Sequence, residues 1–216
     1  MYKKFHGQFV DNPVDKTIRE YFKDYDYKGT MIDIGASNPI DCNNSYHFEK
    51  NGWTTICIEP NPINFKALKE NRDHALNYAL SDENKDNVDF EIFDIAGDYG
   101  ALSGLKLDQK LFDELKGIIR GREKIKVNTR TLDNVLENDI NFVKNIDIVS
   151  LDTEGTELDI LRGFDILKWV PTLFIIENNE GTQELREYME NFGYRLDKRV
   201  EVNDFFLKEN NNESKM

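Results

Sequence analysis

Met31-Ile32-Asp33-Ile34-Gly35-Ala36-Ser37-Asn38-Pro39 decides the fold of this 216-residue chain. An apolar run carrying one carboxylate stops at a glycine turn, which reads as a buried β-strand delivering its loop to the edge of a sheet. A second run, Ile56-Cys57-Ile58-Glu59-Pro60-Asn61-Pro62, reads as another strand and closes on a carboxylate. Glu59 stands 24 residues after Gly35, near the interval of about 20 expected for one strand-helix-strand unit. In an open α/β sheet, ligands sit outside the carboxyl ends of the strands. An acid closing the second strand is placed to bind the two hydroxyls of a nucleoside ribose.

Working outward, Pro13 to Lys23 has helical spacing through Val14, Ile18, Tyr21 and Phe22, and Ser45 to Asn51 reads as a helix that Gly52 ends. Pro62 opens a helix through Phe65, Leu68 and Leu76. Ala75 to Leu80 reads as a third strand stopped by Ser81-Asp82, and Val88 to Phe93 alternates apolar and acidic like a half-exposed strand. Gly97 to Glu123 reads as a glycine-punctuated loop followed by an amphipathic helix through Leu111, Leu115, Ile118 and Ile119. Such an insertion carries substrate contacts, forms a lid or is a plain surface excursion.

Thr131 is placed to cap a short helix through Leu132, Val135 and Leu136. Ile146 to Leu151 is a buried-strand pattern ending in Asp152-Thr153-Glu154-Gly155, with a helix next that buries Leu158 and Leu161. Thr172 to Ile176 is another strand, closed by Glu177. A helix over Glu184 to Phe192 and a strand over Val200 to Leu207 complete the pattern. Strands alternating with helices predict an α/β fold, a Rossmann-like doubly wound, mostly parallel sheet. The expected organisation is an N-terminal helical segment over 1–29, a main domain over 30–207 with its insertion at about 97–123, and a disordered tail over 208–216.

The chain carries 41 acidic and 28 basic residues for a formal charge of −13. That charge repels phosphate backbones, so no nucleic-acid partner is expected. The basic cluster Arg120, Arg122, Lys124, Lys126 and Arg130 reads as a solvated helix end and strand. Two cysteines, Cys42 and Cys57, make no disulfide framework or zinc pattern. No apolar run approaches the roughly 20 residues that span a bilayer, and no signal-peptide core is present. A cytoplasmic protein without a membrane partner is the expectation, with its oligomeric state undetermined.

A dinucleotide-binding fold uses a similar glycine turn, but its pyrophosphate calls for G-x-G-x-x-G. This turn has one glycine. A carboxylate just before it repels a pyrophosphate and suits a ligand carrying an ammonium and a sulfonium, which favours S-adenosylmethionine over NAD. On this reading Gly35 lets the chain approach the ligand, and Asp33 orients the turn or, through water, the methionine ammonium. Ala36, Ser37 and Asn38 complete the turn, while Glu59, with Pro60 beside it, accepts hydrogen bonds from the ribose. Ser81 and Asp82 are expected beside the adenine.

With these residues placed, the chain resembles the FkbM family of S-adenosylmethionine-dependent methyltransferases. The resemblance runs from about Thr30 to Asn178. It is carried by Ile32-Asp33-Ile34-Gly35-Ala36, Asn44-Ser45, Gly52-Trp53, Ile58-Glu59-Pro60-Asn61-Pro62, Ser103-Gly104-Leu105, Thr131-Leu132-Asp133, Ile146 to Glu157 and Ile176-Glu177. It implies a sheet of the class I methyltransferase type and methyl transfer to oxygen, most often a hydroxyl of a sugar or glycosylated product. Where the family often has lysine, two residues before the Asp-x-Glu-Gly run, this chain has Ser150.

A sugar hydroxyl is weakly acidic, so its methylation needs a base, worth roughly 10² to 10⁴ in rate. Asp152 and Glu154 share a face if the strand persists through Glu154. Either is the expected base, with Glu177 orienting the acceptor, while Glu154 or Glu177 paired with an arginine such as Arg162 is the structural alternative. A third reading makes the three acids a Mg²⁺ site that lowers the acceptor's pKa. No metal is otherwise called for. His6, His47 and His74 form no triad, although His47 lies near the cofactor turn. Phe90 and Phe93 read as core. A nucleic-acid or other small-molecule methyltransferase, and a non-catalytic module on the same scaffold, are the competing functions.

Overall fold

A computed structural model describes residues 1–9, 11, 13–95, 98–105, 113 and 116–209, with the backbone alone over 98–102. Its main sheet is built on the two runs that opened the reading. Strand β1 (Thr30–Ile34) lies parallel to β2 (Thr54–Ile58), Asp33 facing Cys57 across the pair. Outside β2 runs β3 (Ala75–Leu76), and on the other side of β1 lie β8 (Ile148–Leu151) and β9 (Leu173–Glu177), all parallel. The order is β10 (Tyr194–Val200), β11 (Asn203–Lys208), β9, β8, β1, β2, β3. The chain order reverses about β1, so the crevice beside its carboxyl end is the topological switch point where this fold class binds ligands.

Period-two alternation sends successive side chains to opposite faces. Ile32, Ile34, Ile56, Ile58, Val149 and Leu151 pack one face. They meet the apolar sides of α4 (Leu132–Asn138), α5 (Glu157–Arg162), α6 (Ile166–Trp169) and α7 (Gln183–Asn191). Met31, Ile148 and Ile175 pack the other face, against α1 (Val14–Tyr21) and α2 (Tyr46–Glu49). Helix α3 (Pro62–Asn71) adds Leu68 beside Cys57. The cap expected at Thr131 forms, accepting from the Asn134 N–H at 3.1 Å, and Asn61 caps the helix that Pro62 opens, accepting from the Ile63 N–H at 3.0 Å. Burial on both faces gives the doubly wound architecture the alternation predicts.

Three expectations are corrected. Ala75 to Leu80 is not one strand: after β3 the chain leaves the main sheet, and β4 (Ala79–Leu80) pairs with β7 (Ile119–Arg130) at the edge of a second, four-stranded sheet. Leu76 accordingly belongs to β3, not to the helix after Pro62. Much of the described insertion is β-structure: β6 (Asp98–Gly104) and the start of β7 flank β5 (Lys85–Ile95). Ile119 starts β7 instead of ending a helix, while Leu111 and Leu115 lie outside the described residues. The reason is cross-strand: Phe90 faces Ile125 and Glu91 faces Lys124 along the long pairing of β5 with β7, a partnership that local periodicity does not reveal.

The third correction is at the C-terminal edge. The expected closing strand is one arm of an antiparallel hairpin, β10 (Tyr194–Val200) and β11 (Asn203–Lys208), with β11 inserted antiparallel beside β9. Lys208 pairs with Tyr194 and so belongs to the sheet, whereas residues 210–216 of the expected tail lie outside the described residues. Among the described residues, no helix is long and apolar enough to cross a membrane.

Candidate active site

At the end of β1 the turn curls onto β2, with the Gly35 and Ala36 N–H groups both donating to the Ile58 carbonyl at 2.9 and 3.3 Å. Gly35 has φ +80 and Ser37 has φ +48. Those left-handed conformations aim the Ser37 N–H at Glu59, whose Oε2 accepts it at 2.9 Å while Oε1 accepts from Asn61 N–H at 2.8 Å. The Glu59 carboxylate is thus clamped by two backbone donors at the carboxyl end of β2, and each oxygen keeps a lone pair for a ligand. Burial pushes its pKa up to about 7, against the pull of both N–H groups.

A cavity of about 250 Å³ opens here, bounded by Gly35, Ser37, Glu59 and Pro60 on one side and by Asp152 and Glu154 on the other. At about 30 Å³ per water molecule it has the scale of an organic ligand. The second sheet supplies Leu80 and Phe90 to its apolar wall, joined by Tyr78 just before β4 and Leu105 just after β6. Ser103 and Gly104 from the insertion also line it, consistent with the insertion contributing contacts. Phe90, read as core, is both core and wall.

Other residues of the expected cofactor set lie off this cavity. Asp33 is buried behind it, accepting from Ser45 Oγ at 2.6 Å. Arg72 reaches the same Ser45 Oγ at 2.9 Å and also donates to Asn43 Oδ1, Glu49 Oε2 and the Pro39 carbonyl. Asp33 therefore orients the turn through a buried network, with burial raising its pKa despite Ser45 and Arg72. Ala36 packs with Cys57 and Leu68, and Asn38 Oδ1 accepts from the N–H groups of Ile40 and Asp41, both at 2.9 Å. Ser81 and Asp82 sit outside the cavity lining, the Ser81 carbonyl backing onto Gly163. Tyr78, Ala79 and Leu80 line the cavity instead, because the chain has already crossed to the second sheet.

The three acids of β8 and β9 do converge, but not by the expected route. Strand β8 stops at Leu151, and Glu154 has φ +60 in a tight turn followed by Gly155 at φ +104. Glu157 organises that turn, its Oε1 accepting from Thr153 N–H at 3.0 Å, Thr153 Oγ1 at 2.9 Å and Gly155 N–H at 3.2 Å. The turn, and not a continued strand, brings Glu154 back to Asp152. Pairing of Leu151 with Ile176 brings the following residues, Asp152 and Glu177, to the same edge, so that one oxygen from each of Asp152, Glu154 and Glu177 lies within 4.8 Å of the others. Burial holds all three carboxyls above their ordinary range, helped by repulsion from Glu157 at Asp152 and from Asp152 at Glu154 and Glu177.

Arg162 binds Asp159 at 3.0 Å and Glu184 at 3.5 Å, not Glu154 or Glu177. Gln8, from the N-terminal segment, lines the cavity and donates to Asp152 Oδ2 while accepting from Asn203 Nδ2 at 3.2 Å. Sequence reasoning missed Gln8, because nothing near it in the chain hints at a partner at position 152. Ser150, in place of the family's lysine, accepts from Asn44 Nδ2 at 3.3 Å. His47 is buried against Phe5 and Arg19, off the cavity lining, and burial lowers its pKa to about 4. Four basic residues of β7 pair with acids on β5: Arg122 and Lys124 with Glu91, Lys126 with Asp89 and Arg130 with Asp86.

The methyltransferase FkbM domain model matches residues 33–196. No curated protein matches the chain. A solved structure named as an RNA methyltransferase from Pyrococcus horikoshii is similar at 12% identity and a TM-score of 0.44, over 92% of this chain and 81% of that one.

Proposed function

This chain belongs to the FkbM methyltransferase family, and on that premise we propose that it moves the methyl group of S-adenosylmethionine to a hydroxyl of a sugar or glycoconjugate. One observation carries the reading: Asp152 and Glu154 line the same cavity as the doubly clamped Glu59. A cofactor seated at Glu59 and an acceptor seated at the acids are then neighbours. The residues fit S-adenosylmethionine: Glu59 offers two acceptor oxygens to ribose hydroxyls, Tyr78 and Phe90 offer aromatic surface to adenine, and the anionic rim suits a cation. When bound, that cofactor supplies a methyl group already activated by its positive sulfur.

The protein's own task is to hold the acceptor hydroxyl about 3 to 3.5 Å from the methyl carbon and to take its proton. Asp152 or Glu154 takes the proton, Gln8 keeps Asp152 oriented, and Glu177 positions the acceptor or its partner acid. A neutral sugar acceptor is favoured over a nucleic acid by the net charge of −13 and by the acids that offset the basic residues of β7.

Two results are expected. Glu59→Gln turns an amide NH₂ toward one of two backbone donors, so its affinity for S-adenosylmethionine in calorimetry should fall about tenfold, or ~1.4 kcal/mol. Unchanged affinity would place the ribose elsewhere. A base must be ionised to work, so kcat/KM should fall as pH drops through the raised pKa of the trio, with an acid limb above the ordinary carboxylate value of about 4. A limb at or below that value would remove these acids as the base.

The reading itself is tested by incubating the protein with methyl-labelled S-adenosylmethionine and a panel of nucleotide sugars, glycans and RNA. Label in a carbohydrate fraction is the expected result. Label in RNA would move the enzyme to the nucleic-acid class, and no cofactor binding would leave a scaffold module.

A further inference from the structure

We propose that Asp152, Glu154 and Glu177 bind a hard divalent cation, of the Mg²⁺, Mn²⁺ or Ca²⁺ class, at the carboxyl edge of β8 and β9. Their three nearest carboxylate oxygens lie within 4.8 Å of one another. Ligand oxygens on one Mg²⁺, at about 2.0–2.1 Å from the ion, stand at most about 4.2 Å apart, and those on Ca²⁺, at about 2.3–2.6 Å, at most about 5.2 Å apart. Small side-chain shifts bring the trio onto either ion. An all-carboxylate donor set without His or Cys selects hard cations over zinc or copper.

Two observations point to a ligand here beyond the clustering of acids. Glu177 is only 8% exposed, and its Oε2 is fully buried with no hydrogen-bond partner. A native fold rarely leaves such an oxygen unmatched, since an unsatisfied buried polar atom costs about 1–3 kcal/mol. The second is charge. Among the described residues, no lysine or arginine forms an ion pair with any of the three; Arg162 goes to Asp159 and Glu184, while Arg186 and Arg199 go to Asp204. Glu157 Oε1 is spent on the Thr153–Gly155 turn. A shared proton would neutralise one carboxylate, whereas a divalent ion bonds to all three and offsets two charges.

The role of the ion, though not its binding, rests on the methyltransferase reading. An ion beside the acceptor lowers the pKa of its hydroxyl. The O–H bond then breaks, its proton passes to a carboxylate oxygen not bound to the ion, and the electron pair stays on the acceptor oxygen.

The test strips the 216-residue chain with a chelator and titrates it with Mn²⁺ alone, reading free Mn²⁺ by electron paramagnetic resonance. A parallel calorimetric titration with S-adenosylmethionine is run on the same samples. One Mn²⁺ per chain is expected, displaced by Mg²⁺ or Ca²⁺ and bound at least tenfold more weakly by Glu177→Gln and by Glu154→Gln. Circular dichroism melts identify which variants are folded, and either folded variant serves. No stoichiometric binding to the wild-type chain, with or without S-adenosylmethionine, overturns the site, as does unchanged affinity in the folded variants. Mn²⁺ binding without S-adenosylmethionine binding leaves the site standing and removes the methyltransferase mechanism instead.

Discussion

Gly35→Ala is expected to unfold the protein or lower its melting temperature by roughly 10 °C. A Cβ at this position would lie 1.8 Å from the Asp152 carbonyl oxygen, where no atom fits, and the backbone there has φ +80. The obstructing atom is backbone at the end of β8, so relief requires β1 and β8 to separate at the centre of the main sheet. Overpacking typically costs about 1–3 kcal/mol, and a left-handed conformation in a residue with a Cβ about 1–2 more. Against a total stability of about 5–15 kcal/mol this is severe, and at about 2–4 °C per kcal/mol it sets the expected shift. A melting temperature within about 2 °C of wild type would show that the two loops do not approach as closely as described.

The double variant Asp152→Asn, Glu154→Gln should lose about 10² to 10⁴ in methyl transfer, the usual span for removing a general base. Both substitutions preserve shape and relieve repulsion among buried acids, so the fold should survive and even gain stability. Glu59 and the turn after β1 are untouched, so S-adenosylmethionine should still bind. A rate within threefold of wild type, measured with folded protein and saturating cofactor, would place proton removal elsewhere. If the trio acts through a bound cation, the same variant also loses Mn²⁺, and the two measurements together separate a missing base from a missing ion.

Gly35 also shows how a motif can be legible while its reason is not. The one-glycine turn marks the ligand-binding loop in the primary sequence, where close approach to a ligand is the natural explanation. The contact that forbids a side chain is with Asp152 O, well over a hundred residues downstream. Asp33 behaves similarly: its carboxylate belongs to the buried Ser45 and Arg72 network that shapes the turn, not to the cavity lining. Glu59 is the expectation closest to its observed setting, because a residue at the end of a buried strand is positioned by the strand itself.

The alternation of Ile32, Ile34, Ile56, Ile58, Val149 and Leu151 and the caps at Asn61 and Thr131 are local, so the sequence by itself determined the doubly wound core, the switch point beside β1 and the acids delivered there. Tertiary structure alone decided the departure of β4 from the main sheet, the pairing of β5 with β7 that walls the cavity, the β10–β11 hairpin, and the meeting of Gln8 with Asp152. Those features depend on which distant segment pairs with which. Such pairing free energies come from cross-strand packing and shared burial, and no local pattern carries them.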